Sequence, residues 1–318
     1  MKEIGIGIAA SMFFAVTFIL NRAMELDGGS WMWSSSLRFY FMIPFLLLIL
    51  LFSKNLKQVF VEIAKRPYTW MLWSTVGFGL FYAPLTYAAA YGPGWLIAGT
   101  WQLTIVAGVL LSPFFFHIAD TPEGQMKIRH KIPGKALFIS LMIFSGVLLI
   151  QFQQAEGISL HMLSAGVLPV VIAAFAYPLG NRKMMEVCGE RLNTFQRILG
   201  MIICSLPLWL IISTAGFIQA GPPSGSQLLQ TLIVGICSGV IATSLFFIAT
   251  NSVRGDIGRL AAVEATQSMT VIFVLLGEIV LLATPLPSGS AIGGLMLIIA
   301  GMIIHSLPSH NKIVRKAA

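Results

Sequence analysis

The sequence predicts an all-α polytopic membrane protein of ten transmembrane helices, built as two inverted five-helix repeats. Three observations carry that expectation. The 318 residues are 57% hydrophobic and only 10% charged, with a mean hydropathy of +0.85, whereas soluble domains carry about 25% charged residues. Apolar runs of membrane length recur along the whole chain, and no segment between them is longer than about 20 residues, too short for a folded extramembrane domain. With the N-terminus placed in the cytosol, 17 of the 20 basic residues fall in inner segments and Arg22 alone in an outer one, while Arg38 and Arg197 lie within spans. A single missed span would reverse the side of every later loop, so this division supports both the count and cytosolic termini.

The first run, 4–22, follows Met1-Lys2-Glu3 and is too long for an ordinary signal peptide. It also lacks a small-x-small cleavage site, and reads as an uncleaved span. Further spans are expected near 34–52, 69–90, 95–116 and 134–151, completing a first repeat over 1–152. A second repeat over 153–318 holds spans near 163–181, 194–213, 229–250, 259–282 and 290–307. The net charge of +8 is divided among short loops rather than gathered in a patch, which speaks for membrane topology and against nucleic acid. Cys188, Cys204 and Cys237 have no paired spacing, and the five histidines have no metal spacing, so neither a disulfide framework nor a metal or other cofactor is implied.

Markers recur between the halves. Asn21-Arg22 closes the first span and Asn181-Arg182 the sixth; Arg38 opens the second and Arg197 the seventh; Gln102 and Gln267 lie in the fourth and ninth. With five spans per half the second copy enters from the opposite side, an arrangement frequent among secondary transporters, whose substrate sits at the repeat interface. The five-plus-five spans, Leu37-Arg38-Phe39 at the opening of the second span and Leu276-Gly277-Glu278 late in the ninth resemble the EamA-like branch of the drug/metabolite transporter superfamily, related to proteins filed as multidrug resistance efflux transporters. The resemblance implies a transporter fold over nearly the whole chain. The chain departs from that branch at Gln267-Ser268-Met269-Thr270, where a proline is usual, and its first span has no acidic residue to match the first-helix glutamate of the small four-helix antiporters.

The most informative stretch is 258–282. Glu264, Gln267 and Ser268 share one helical face with Glu278 inside an apolar run, and a carboxylate in hydrocarbon is tolerated only against protein or a water-filled path. Glu264 is the candidate for coupling to protons or another ion; Arg259 is five positions away, off its face, and no strong pair is expected. Glu278 reads as a charge at the outer headgroups. Tyr82 and Trp101 are too deep for an interfacial belt, to which Trp31, Trp33, Tyr68, Trp70, Trp73, Tyr91 and Trp95 are assigned. With Gln102, Tyr177, Asn181 and Gln267 they form the expected substrate-binding set, against the alternative of helix packing. Asn21 is a lesser candidate, and Arg38 and Arg197, near span ends, are expected to reach the headgroups in a structural role.

No H-E-x-x-H, G-x-S-x-G or P-loop is present, so the chain does not read as an enzyme, and uphill movement would draw on a gradient. The reading is a secondary active transporter, in the export direction, moving a small solute or drug across the plasma membrane by alternating access. Its partners are that solute, the bilayer and a coupling ion, with homo-oligomerisation left open. The rival is a non-transporting receptor or scaffold. Because no Lys or Arg is expected at mid-membrane, the solute is read as neutral, zwitterionic or cationic.

Overall fold

A computed structural model describes residues 1–91, 94–121, 124–152, 160–282 and 289–306. Helices dominate: α1 Lys2–Leu26, α2 Trp31–Phe52, α3 Leu56–Lys65, α4 Pro67–Ser74, α5 Leu80–Tyr91, α6 Gly94–Trp101, α7 Leu103–Leu110, α8 Gly134–Phe152, α9 Leu160–Cys188, α10 Thr194–Ala220, α11 Gly225–Val234, α12 Thr243–Ser252, α13 Ile257–Ala265, α14 Met269–Leu282 and α15 Gly289–Ser306. Starts are set locally. The Ser30 hydroxyl accepts from Met32 N–H, Asn193 and Gln196 form a reciprocal capping box, Ser224 accepts from Gln227 N–H, and Asp256 from Arg259 N–H. Each satisfies backbone donors that a helix end leaves open.

Six of the described helical stretches are long and apolar enough to cross a membrane: Lys2–Leu26, Trp31–Phe52, Ser164–Cys188, Thr194–Ala220, Gly225–Ser252 and Ile257–Gly277. Ile97–Leu110, Gly134–Leu149 and Ile292–Ile304 are apolar but shorter. The remaining expected span, near 69–90, coincides with α4 and α5 joined through a π-helical turn at Thr75–Gly79. A second π-helical stretch, Gly235–Ala242, joins α11 to α12. Widened turns of this kind occur often at functional sites. Two further interruptions fall on glutamines: α6 and α7 are separated at Gln102, and α13 and α14 by a 3₁₀ turn at Thr266–Ser268 that contains Gln267.

Two span ends differ from expectation. The fourth span does not run to residue 116: after the 3₁₀ turn Ser112–Phe114, in which Pro113 cannot continue an α-helix, the chain forms strand β1, Phe116–Thr121, antiparallel to β2, Gly124–Arg129, with Phe116 opposite Arg129. A hairpin therefore accompanies the helices. The sixth helix does not end at Asn181 but continues to Cys188, which places Arg182 inside it, 2% exposed.

Packing is built around α1 and α9. α1 lies against α12, α14 and the Gly235–Ala242 turn; α9 lies against α5, α7 and the Thr75–Gly79 turn; α2 packs on α10, and α8 on α15. The α9 contact is close because Gly180 faces Gly77, where a Cβ on Gly180 would collide with the Gly77 backbone. Trp70, expected at the interface, is instead buried at 1% exposure against Gly200. Tyr68, two residues away, is 85% exposed.

Candidate functional site

Phe14, Thr17 and Phe18 of α1, Arg38 of α2, Phe81 and Leu85 of α5, Trp101 of α6, Tyr177 of α9, Ser238 and Gln267 enclose a central cavity. Its walls thus come from both sides of residue 152. The aromatic side is a compact box, with ring centroids 4.6 Å apart for Phe81 and Tyr177, 5.0 Å for Phe81 and Trp101, and 5.5 Å for Trp101 and Tyr177. The enclosed space is about 10 Å³, roughly that of one water molecule. This arrangement is closed around its centre.

Thr17 Oγ1, Arg38 Nε, Tyr177 Oη, Ser238 Oγ and Gln267 Nε2 are all buried with no hydrogen-bond partner among the described residues, and all five residues line the cavity. Buried polar groups are normally satisfied, and each exception asks for an explanation. Arg38 is the most demanding. Its side chain does not reach the protein surface: it is 2% exposed, makes no ion pair among the described residues, and lies with its guanidinium carbon 4.1 Å from the Tyr82 ring centroid. A cation–π contact returns about 0.5–2 kcal/mol, less than the several kcal/mol by which burial penalises an ion. The premise that no cation lines the path therefore fails, and Arg38 is held as an unneutralised charge facing the cavity.

Other expected residues separate into supports and neighbours. Tyr82 does not line the cavity; its ring underlies Arg38 and its hydroxyl exchanges hydrogen bonds with Asn21 at 3.3 and 3.5 Å. Gln102 is fully buried and spends one N–H on Ala98 O at 3.0 Å, and Asn181 is 2% exposed with Oδ1 unpartnered; neither is among the lining residues. Arg197, also expected at the surface, is 3% exposed over the Phe247 ring at 4.4 Å. The Glu278 side chain lies outside what the structure describes.

Glu264 has the strong partner that was not expected. Arg182 Nε donates to Oε1 at 2.9 Å and Nη2 to Oε2 at 2.5 Å, a bidentate pair in which both side chains are at most 5% exposed. It fits because position 108 is glycine, whose missing Cβ would occupy the carboxylate's place. Arg259 instead donates to Glu3 at 2.9 Å. Outside the spans, Glu62 of α3 accepts from Lys65 and from Arg191, and these hydrogen bonds hold its carboxyl below the usual carboxylate range. The open crevice by Gly189, Glu190 and Arg254 is a lesser candidate, since Arg254 is already bonded to Glu190 and to Gly189 O. Among the described residues no cluster of His, Cys, Asp and Glu could hold a metal ion.

The family model "EmrE: Putative multidrug resistance efflux transporter" matches residues 1–311. The chain belongs to that family. Among relatives of this EmrE-type chain, the uncharacterized protein YjlA of Bacillus subtilis is 59% identical over 318 residues, covering 100% of the chain and 98% of YjlA. An uncharacterized 42.1 kDa protein encoded in the intracellular alkaline protease 3′ region of Shouchella clausii is 51% identical over 268 residues, covering 84% of the chain and 70% of that protein. A crystal structure described only as that of a protein superposes with a TM-score of 0.69 at 16% identity, covering 96% of each chain; at that identity it supports the fold alone. The EmrE family and the apolar helices make this a multi-pass membrane protein of a transporter family.

Proposed function

We propose that the chain is a secondary active transporter that exports a small organic solute across the plasma membrane by alternating access. The moving parts are two inverted five-helix halves, 1–152 and 153–318, with both termini in the cytosol. The observation that carries this reading is the buried cavity between the halves, with five unpartnered polar atoms and an aromatic box. A scaffold gains nothing from polar groups left unsatisfied in its core, whereas a carrier must hold them open for its cargo.

The packing supports the two halves. Exchanging the first five spans for the second five maps the contacts of α1 with α12 and α14 onto those of α9 with α5 and α7, and leaves the α2–α10 and α8–α15 contacts in place. Arg38 over Tyr82 has its counterpart in Arg197 over Phe247, and each half carries one π-helical stretch and one break at a glutamine. In this reading the Arg182–Glu264 pair is a latch across α9 and α13, and its opening frees the Glu264 carboxylate to take a proton. The test is counterflow and gradient-driven uptake in proteoliposomes against a panel of small metabolites and drugs. Saturable movement of at least one solute is expected; no movement under any imposed gradient would favour a receptor or scaffold.

A further inference from the structure

We infer that the central cavity, once its walls part from this closed arrangement, takes the carboxylate of a singly charged organic anion, with Arg38 as its counter-ion and the apolar body of the solute among Phe81, Trp101 and Tyr177. This deepens the transport reading of the same cavity and rests on it. The charge balance argues for it first. Arg38 is the one ionisable cation in the lining, it has no acidic partner among the described residues, and no Asp or Glu is among the lining residues. The buried carboxylate of Glu264 is held by Arg182 through both of its oxygens. A cationic solute would add a second like charge to a closed site. A zwitterion would bring an ammonium that meets no carboxylate.

The hydrogen-bonding pattern argues the same way. Arg38 Nε and Gln267 Nε2 can only donate, and the Thr17, Tyr177 and Ser238 hydroxyls can donate as well as accept. Arg38 Nε and four further unpartnered donors suit the lone pairs of a carboxylate, and charge-assisted bonds of this kind are the strong ones. A phosphate monoester could use the same donors, but its second negative charge would have no counter-charge in the lining. The rings of Phe81, Trp101 and Tyr177 offer an apolar surface for the rest of the molecule.

The experiment is equilibrium titration of the purified full-length protein with phenylacetate, its neutral amide phenylacetamide, the amine phenethylamine and phenyl phosphate, with indole-3-acetate and its amide as a second pair. Phenylacetate or indole-3-acetate should bind at least about tenfold more tightly than its amide, as a charge-assisted bond implies, with the amine and the phosphate weaker still. Arg38→Gln should bring the carboxylate-to-amide ratio to near one. Arg38→Lys, which keeps the charge without the Nε–H, should leave an intermediate ratio. Amide or amine binding as tight as carboxylate, phosphate binding tightest, no binding of either carboxylate by the folded wild type, or an unchanged ratio in Arg38→Gln would each overturn the inference. Counterflow of phenethylamine without carboxylate binding would overturn it while leaving the transport reading intact. Carboxylate binding without counterflow of any solute would overturn the transport reading and leave the anion site standing.

Discussion

Replacing Glu264 with glutamine removes the charge of the latch while keeping its shape. Arg182 would then be buried without a counter-charge among the described residues, since its second Nη is already unpartnered. Truncating one member of a buried pair costs about 3–5 kcal/mol, against about 0–1 kcal/mol for an exposed pair such as Arg254 with Glu190. At about 2 °C per kcal/mol, the low end of the range for larger domains, the thermal midpoint should fall by about 6–10 °C. Arg182→Met should fall by a similar amount. The double variant Arg182→Met with Glu264→Leu should recover most of the loss, because a well-packed apolar pair is commonly as stable as a buried ionic one. Differential scanning fluorimetry of these proteins and of the Glu264→Leu single variant in one detergent completes the cycle. A Glu264→Gln midpoint within 1 °C of wild type, or a double variant as unstable as the sum of the singles, would refute the latch.

Arg38→Met should raise the midpoint of the ligand-free protein by about 2 °C or more, because it removes an unneutralised buried charge, and a lower midpoint would show that Arg38 is satisfied where it stands. Gly180→Ala should sharply reduce the yield of folded protein, as its Cβ would strike the Gly77 backbone, while Gly5→Ala, with nothing within 4 Å, should leave size-exclusion profiles unchanged. The depressed Glu62 carboxyl should contribute stability that is present above its unfolded value of about 4.3 and is lost as pH falls through the lower folded value. Glu62→Gln should remove that part of the acid dependence of the midpoint, and an unchanged profile would exclude the α3 cluster as its source.

Much of this architecture is visible in the chain because it rests on local signals. Apolar runs and the uneven division of Lys and Arg between successive loops mark the helices, and the deep positions of Trp101, Tyr177 and Gln267 mark three walls of the cavity. What escaped depends on partners far away in sequence. The Arg182–Glu264 pair joins residues 82 apart, and helical periodicity around Glu264 offers no partner, since its neighbour Arg259 lies off its face. Ending the sixth span at Asn181 put Arg182 in a loop, although the repeat of Asn21-Arg22 as Asn181-Arg182 flagged the position. Arg38 stands a few residues inside its helix, where a long side chain could equally reach a headgroup or turn inward; the Tyr82 ring, set by Asn21, decides it. Thr17 and Ser238 carry no sequence signal, since lone hydroxyls on apolar helices usually bond their own backbone. The hairpin Phe116–Arg129 was hidden by reading an apolar run through Pro113.

Alternating access requires the central cavity to open to each side of the membrane in turn. Ser238→Cys in a background lacking Cys188, Cys204 and Cys237 tests it directly, because Ser238 is fully buried and lines the cavity. A membrane-impermeant maleimide should label the new thiol from outside in intact cells and from inside in inverted vesicles, and a transported solute should slow both reactions. Labelling from neither side, or from one side alone under every condition tried, would contradict it.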